Sequence, residues 1–128
     1  MSSVEIVVLQ RFKVGIVQFL DELINWMPDD EELIATRILV NDQIPIEELM
    51  LKFIQHIYPL EKQIAERDDN FFLNDPKVFG RVKDQQRVMS LKKLWTHSEF
   101  TKEDKDKAWK WMDFFIKCIK LYKQYHNE

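Results

Sequence analysis

Turn-forming residues are scarce in this chain, and their scarcity constrains its fold more than any other feature. Only two glycines and four prolines occur among the 128 residues. A β-sandwich or β-barrel needs a tight turn between successive strands, and glycine and proline usually supply it. A few helices with short connections need far fewer such residues. The sequence therefore predicts an all-α fold: a compact single-domain bundle of about five to six helices over residues 1–128.

Composition supports a folded domain inside a reducing compartment. Apolar residues make up 45% of the chain and charged residues 32%, which is ordinary for globular proteins and argues against general disorder. The one cysteine, Cys118, lies in an apolar helical pattern, so the sequence predicts a buried, inert thiol and no internal disulfide. No segment approaches the ~20 apolar residues that a membrane span requires. We therefore expect no membrane insertion.

The first half of the chain begins with a long amphipathic pattern. Ser2 and Glu5 have the spacing of a capping box, and we expect one continuous helix from there, although the run Val4–Leu9 also suits a short strand. We prefer the helix because an isolated strand would have no partner. Pro28 ends the element. Its apolar arc at 100° per residue consists of Leu9, Phe12, Ile16, Phe19, Leu20, Leu23 and Met27.

Several short helices are expected in the middle of the chain. Asp29 with Glu32 predicts an acidic cap for a second helix over about 30–41, and Pro45 suits the first position of a third. Pro59 should bend or restart that helix. The turn signals from Asn74 to about Lys83 predict a loop or short helical turn, followed by a helical repeat over 88–95.

The last helix is the most informative segment. Thr101 followed by Asp104 resembles its cap, and we expect it to run to about Tyr125. Its polar positions form one narrow stripe, so the apolar arc is wider than a surface helix needs. We favour a central, largely buried helix over a partner-binding face. If the helix is peripheral, its large aromatic residues are the expected contacts with a partner: Trp109, Trp111, Phe114 and Tyr122.

Catalytic and metal-binding signatures do not stand out in this sequence. It contains no GxxxxGK[ST], GxGxxG, GxSxG or HExxH pattern. The histidines, at positions 56, 97 and 126, are far apart, and adjacent carboxylates such as Glu47 and Glu48 diverge by about 100° on a helix. We therefore predict no catalytic residues, no cofactor and no metal. An enzyme whose carboxylates converge from different helices stays open as an alternative.

Charge is unevenly distributed along the chain. Residues 1–75 carry 6 Lys/Arg against 15 Asp/Glu, net −9, whereas residues 76–128 carry 13 against 7, net +6. We favour the interpretation that acidic helices pack beside basic ones. The alternative is nucleic-acid binding by the basic half, although the overall pI near 5.7 argues against it. That alternative predicts one positive face formed by Lys92, Lys93, Lys110, Lys117 and Lys120.

A series of segments in order along the chain resembles a family of short proteins encoded by large nucleocytoplasmic DNA viruses of algae and protists. The segments are Phe19–Ile24, Asp42–Glu47, Glu66–Arg67 with Asn70–Leu73, Lys92–Trp95, and Glu103–Lys105 with Trp109–Trp111. The resemblance implies a viral origin and a setting in the host cytoplasm or virus factory, with packaging into the virion as a further expectation. It implies no catalytic residues.

The expected function is a non-enzymatic structural or protein-interaction module, either virion-associated or a viral accessory factor. Its partner would be another protein or a second copy of the chain, docked through the exposed aromatic face or through the acidic–basic polarity. Nucleic-acid association through the basic C-terminal half is the first alternative. An enzyme of unrecognised class is the second.

Overall fold

The computed structural model describes residues 2–76, 78, 79 and 89–126, and every regular element within them is helical. The predicted all-α bundle with a long C-terminal helix is confirmed. Val88 and half of the predicted loop from Asn74 to Lys83, namely residues 77 and 80–83, lie outside the described residues. The α-helices are α1 (Ser3–Trp26), α2 (Glu31–Ile38), α3 (Ile46–His56), α4 (Glu61–Ala65), α5 (Asn70–Leu73), α6 (Leu91–Trp95) and α7 (Lys102–His126).

The two long helices begin at the caps that the sequence predicts. Ser2 Oγ accepts a hydrogen bond from the Glu5 backbone N–H at 3.1 Å, and the Glu5 carboxylate accepts one from the Ser2 N–H. The run Val4–Leu9 therefore forms the first turns of α1. At α7, Thr101 Oγ1 accepts from the Asp104 N–H at 3.2 Å. These reciprocal bonds satisfy backbone donors that a bare helix end leaves unpaired.

Two local predictions between α1 and α3 were wrong by one residue. The cap of α2 is Asp30 rather than Asp29, because Asp30 Oδ1 accepts from the N–H groups of Glu32 and Leu33 at 2.9 and 3.1 Å. Pro45 caps α3 from outside the helix instead of occupying its first position, since its ψ of 137° is extended. Leu39–Gln43 continues α2 as a π-helical turn, and Tyr58–Leu60 forms a 3-10 turn at the predicted Pro59 break.

Helix α7 packs against α1, α3 and α4, which makes it the central helix of the bundle. It runs antiparallel to α1: the Glu5 carboxylate pairs with His126 near one end, and the Glu22 carboxylate accepts a hydrogen bond from Trp111 Nε1 farther along. Phe115 lies in the middle of the core and has no exposed surface. Its ring lies within about 6 Å of the rings of Phe12, Phe19, Phe53, Trp111 and Phe114.

A second aromatic cluster lies between α5, α6 and α7. Phe72 stacks on Trp95 with ring centroids 3.9 Å apart and meets Trp109 edge-on at 4.8 Å. Trp109 also lies 5.3 Å from Trp95. All three rings are buried. Edge-to-face and offset contacts between aromatic rings stabilise a fold beyond the area they bury, so this cluster fixes the short helices α5 and α6 onto α7.

A buried hydroxyl joins α2 to the chain just before α6. Thr36 has no exposed surface, and its Oγ1 donates to the Glu32 carbonyl at 2.7 Å. The same oxygen accepts from the Met89 N–H at 2.9 Å. Thr36→Val keeps the shape but leaves this N–H buried without an acceptor, so we expect the free energy of unfolding to fall by about 1–3 kcal/mol.

Urea denaturation followed by circular dichroism measures this loss, and Thr36→Ser is the matched control. Serine keeps the hydroxyl and removes only a methyl group, so its cost should be about 1 kcal/mol and smaller than that of valine. A valine variant as stable as the serine variant would contradict the proposed role of the hydroxyl.

Candidate docking groove between α1 and α7

The four aromatic residues that the sequence predicts as partner contacts differ in their burial. Trp109 and Tyr122 are each only 4% exposed and pack inside the chain, which removes them from any contact set. Trp111 and Phe114 are partly buried and keep one face toward solvent. Both line a groove between α1 and α7. The partner-binding hypothesis therefore retains only Trp111 and Phe114.

The groove is an open depression of about 580 Å³ between the two long helices. Its floor is apolar: Val14, one of the most exposed apolar side chains at 56%, lies beside the two aromatic rings. Polar and cationic side chains form its rim. The lining residues are Gln10, Arg11, Val14, Gly15 and Gln18 of α1 with Lys110, Trp111 and Phe114 of α7.

Gly15 allows the groove to form. A Cβ atom at this position would overlap the Phe114 ring, with the ring Cζ only 3.0 Å away and other ring atoms also too close. A glycine inside a helix costs roughly 0.5–1 kcal/mol relative to alanine. Here the missing side chain lets the Phe114 ring lie directly against the α1 backbone.

Contacts inside the bundle fix the orientation of the Trp111 side chain. Its indole Nε1–H donates to the Glu22 carboxylate, while its ring lies 6.0 Å from both Phe19 and Phe115. These contacts fix one edge of the indole in the bundle. The remaining face forms a rigid apolar wall, which is the form in which tryptophan contributes most to protein interfaces.

The exposed charge around the groove is positive. Arg11 and Lys110 line it, and within the described residues neither has an ion-pair partner. The Glu22 carboxylate keeps its negative charge behind Trp111, because the indole N–H from which it accepts is neutral. The charged side chains among the lining residues are nevertheless both cations, on a chain whose net charge is −3.

The five lysines of the nucleic-acid hypothesis are exposed but interrupted by carboxylates. Lys92 and Lys93 lie on α6, and Lys93 Nζ pairs with Glu32 at 3.3 Å. Lys110, Lys117 and Lys120 lie on α7, where Lys120 pairs with Glu61 of α4. Asp113, inside this stripe, accepts two hydrogen bonds from Arg67 at 2.8 and 2.7 Å. This alternation of charges favours the packing of acidic helices beside basic ones.

Cys118 lies on the α7 side of the same helix pair but is closed to reagents. It is 5% exposed, and burial raises the pKa of its thiol to about 11. At about pH 8 the thiolate fraction is then about a hundredfold below that of an ordinary thiol. We expect a disulfide reagent to react at least about a hundredfold more slowly with the folded chain than with the chain in guanidinium. Rapid reaction of the folded chain would contradict this burial.

The ion pair between Glu5 and His126 makes stability depend on pH. Glu5 is only 4% exposed, and the hydrogen bond with His126 holds the pKa of its carboxyl below its ordinary value of 4.5. A lowered folded-state pKa contributes stability above the ordinary pKa, and that stability is lost as pH falls through the folded pKa. Between about pH 5 and pH 3, the free energy of unfolding should therefore fall more steeply in the wild type than in Glu5→Gln.

The matched control for Glu5 is Glu99, an exposed carboxylate that lies outside this contact. Urea denaturation at several pH values should give Glu99→Gln the pH dependence of the wild type. If Glu5→Gln also follows the wild type, the pair does not contribute to stability.

Two further findings concern the described part of the chain. No group of three or more His, Cys, Asp or Glu side chains there could hold a metal ion. None of its helices combines the length and apolarity that crossing a membrane requires. Comparison of the chain with known protein families, with curated proteins and with solved structures finds no match.

Sequence reasoning missed the α1 side of the groove. The apolar arc predicted for the first helix leaves out Val14 and Gly15 as well as the polar Arg11 and Gln18. A signal was present: Val4, Val7 and Val14 share one stripe of α1 with those polar residues, at helical spacings of three and four. Apolar residues on the solvent side of an amphipathic helix indicate a surface that another element covers.

Proposed function

We propose that this chain is a non-enzymatic protein-interaction module that docks a segment of a partner protein in the groove between α1 and α7. One observation carries the proposal: Trp111 and Phe114 hold partly exposed rings beside the exposed Val14, around a groove of about 580 Å³. Large aromatic side chains held rigidly in a pocket dominate the binding energy of protein interfaces.

The matched substitutions Val14→Asp and Leu51→Asp test this proposal. Both side chains are about half exposed, at 56% and 51%, but Leu51 lies on α3 and outside the groove lining. An aspartate in the groove should repel an apolar segment because its carboxylate would lose hydration on docking. Neither substitution removes a buried side chain, so both variants should fold.

Affinity purification with quantitative mass spectrometry is the measurement. Proteins that co-purify with the wild type and with Leu51→Asp should be depleted at least about tenfold with Val14→Asp. If the co-purifying set is the same for all three chains, the groove is not the docking surface.

The series of sequence segments that resembles short proteins of large DNA viruses extends the proposal to a biological setting. We infer a viral accessory or virion-associated role, in the host cytoplasm or virus factory. The buried thiol of Cys118 suits a reducing compartment. Mass spectrometry of purified particles and of infected-cell cytoplasm distinguishes a packaged protein from an accessory factor.

A further inference from the structure

Two stripes with the same spacing border the groove. On α1 the positions are 4, 7, 11, 14 and 18, with Val4, Val7 and Val14 exposed by 41%, 44% and 56%. On α7 the positions are 111, 114, 118, 121 and 125, of which Trp111, Phe114 and Leu121 are partly buried. Alternating spacings of three and four residues are those of helices that pack along a common seam.

The geometry of this surface fits a helix better than an extended segment. The α1 stripe covers 15 residues, whose 14 steps of 1.5 Å correspond to about 21 Å or four helical turns. The groove itself is lined from Gln10 to Gln18 on α1, about 12 Å, and the same side of α1 continues beyond it through the exposed Val7 and Val4. A third helix can place its own apolar stripe in such a groove, as in a three-helix bundle.

The positive charges at the rim of the groove favour a partner helix that carries negative charges. Arg11 borders the groove on α1, and Lys110 and Lys117 lie two turns apart on α7. Within the described ranges, none of these three has an ion-pair partner, whereas Arg37, Arg67, Lys93 and Lys120 are all paired with carboxylates. A complementary ligand therefore brings its own carboxylates to both sides of the groove.

We propose that the groove binds a single amphipathic helix of about four turns from a partner protein, with acidic residues flanking its apolar stripe; this rests on the proposed function and specifies its ligand. A second copy of the chain fits less well. A two-fold contact across this groove would place Arg11, Lys110 and Lys117 opposite the same cations. Like charges brought together at an interface oppose association.

Two synthetic peptides test the proposal with the full chain. Each has about 18 residues and the same leucine stripe at three–four spacing, but one carries glutamate and the other lysine at the flanking positions. Fluorescence anisotropy of the labelled peptides measures the affinity. We expect the glutamate peptide to bind at least about tenfold more tightly than the lysine peptide, and the difference to shrink at high salt.

Variants connect this binding to the groove. Val14→Asp should lose the glutamate peptide, whereas Leu51→Asp should bind it like the wild type. The double variant Arg11→Glu, Lys110→Glu should reverse the preference and bind the lysine peptide more tightly. All four side chains are exposed, so these variants test the surface and not the core.

Several outcomes would overturn the acidic-helix proposal. These are equal binding of the two peptides, preference of the wild type for the lysine peptide, binding of neither, and a dimer of the chain that Val14→Asp dissociates in sedimentation experiments. The proposed function fails separately, if co-purification of partners is insensitive to Val14→Asp. If co-purification depends on Val14 but the glutamate peptide is not preferred, the groove binds a partner of different charge.

Discussion

Phe115→Ala is expected to lower the free energy of unfolding by about 3–5 kcal/mol, which would remove much of the stability of a domain of this size. Phe115 has no exposed surface, and five aromatic rings surround it. Truncation leaves a cavity where α1, α3 and α7 meet, and the surrounding rings cannot collapse fully into it. Urea denaturation followed by circular dichroism measures the loss.

Phe114 is the matched control, because it is the same residue type one position earlier on α7. Its ring lies in the groove and is partly exposed, so Phe114→Ala should cost at most about 2 kcal/mol. If Phe115→Ala does not fold, Phe115→Leu should fold and lose less, about 1.5 kcal/mol. Equal losses for the two alanine variants would show that α7 does not present Phe115 to the core.

Trp109→Ala is expected to cost a similar amount, about 3–5 kcal/mol. Trp109 is 4% exposed and lies against Phe72, Phe71 and Trp95, with the Arg67 guanidinium 5.8 Å from the centre of its ring. Truncating the Trp109 side chain removes the surface on which α5 and α6 pack. These short helices have few other contacts with the bundle, so they should loosen first.

Trp111→Ala provides the comparison two residues later on the same helix. The Trp111 indole faces the groove, and its hydrogen-bond acceptor Glu22 is exposed, so we expect a loss of at most about 2 kcal/mol. Hydrogen exchange should show faster exchange in α5 and α6 for Trp109→Ala alone. If Trp111→Ala destabilises the chain as much as Trp109→Ala, the assignment of one tryptophan to the core and the other to the groove is wrong.

The sequence predicted the long helices because their signals are local. The pairs Ser2–Glu5 and Thr101–Asp104 bring their own hydrogen-bonding groups to each helix start, so the caps do not depend on the rest of the fold. The wide apolar arc of α7 likewise favoured a central position over a peripheral one. The error at Asp30 arises because neighbouring carboxylates, such as that of Asp29, offer the same capping chemistry. The error at Pro45 is a shift of the helix boundary by one residue.

The groove could not be predicted in the same way because it depends on contacts distant in the sequence. Periodicity placed Trp109 and Trp111 alike on a broad apolar surface of α7. The two tryptophans differ because of what packs against each of them. Phe71 and Phe72 cover Trp109. Gly15 lets the Phe114 ring lie against the α1 backbone, and Phe114 and Trp111 remain at the open edge between the two helices. The bond from Met89 to Thr36 also joins residues 53 positions apart.

Site-specific photo-crosslinking tests most directly whether the groove between α1 and α7 is a docking surface. A photoreactive amino acid replaces Val14 in one chain and Leu51 in another, two positions of similar exposure on different faces. We predict a discrete crosslinked adduct with a partner protein from position 14, and its absence from position 51. The same adducts from both positions, or an adduct from position 51 alone, would contradict the account.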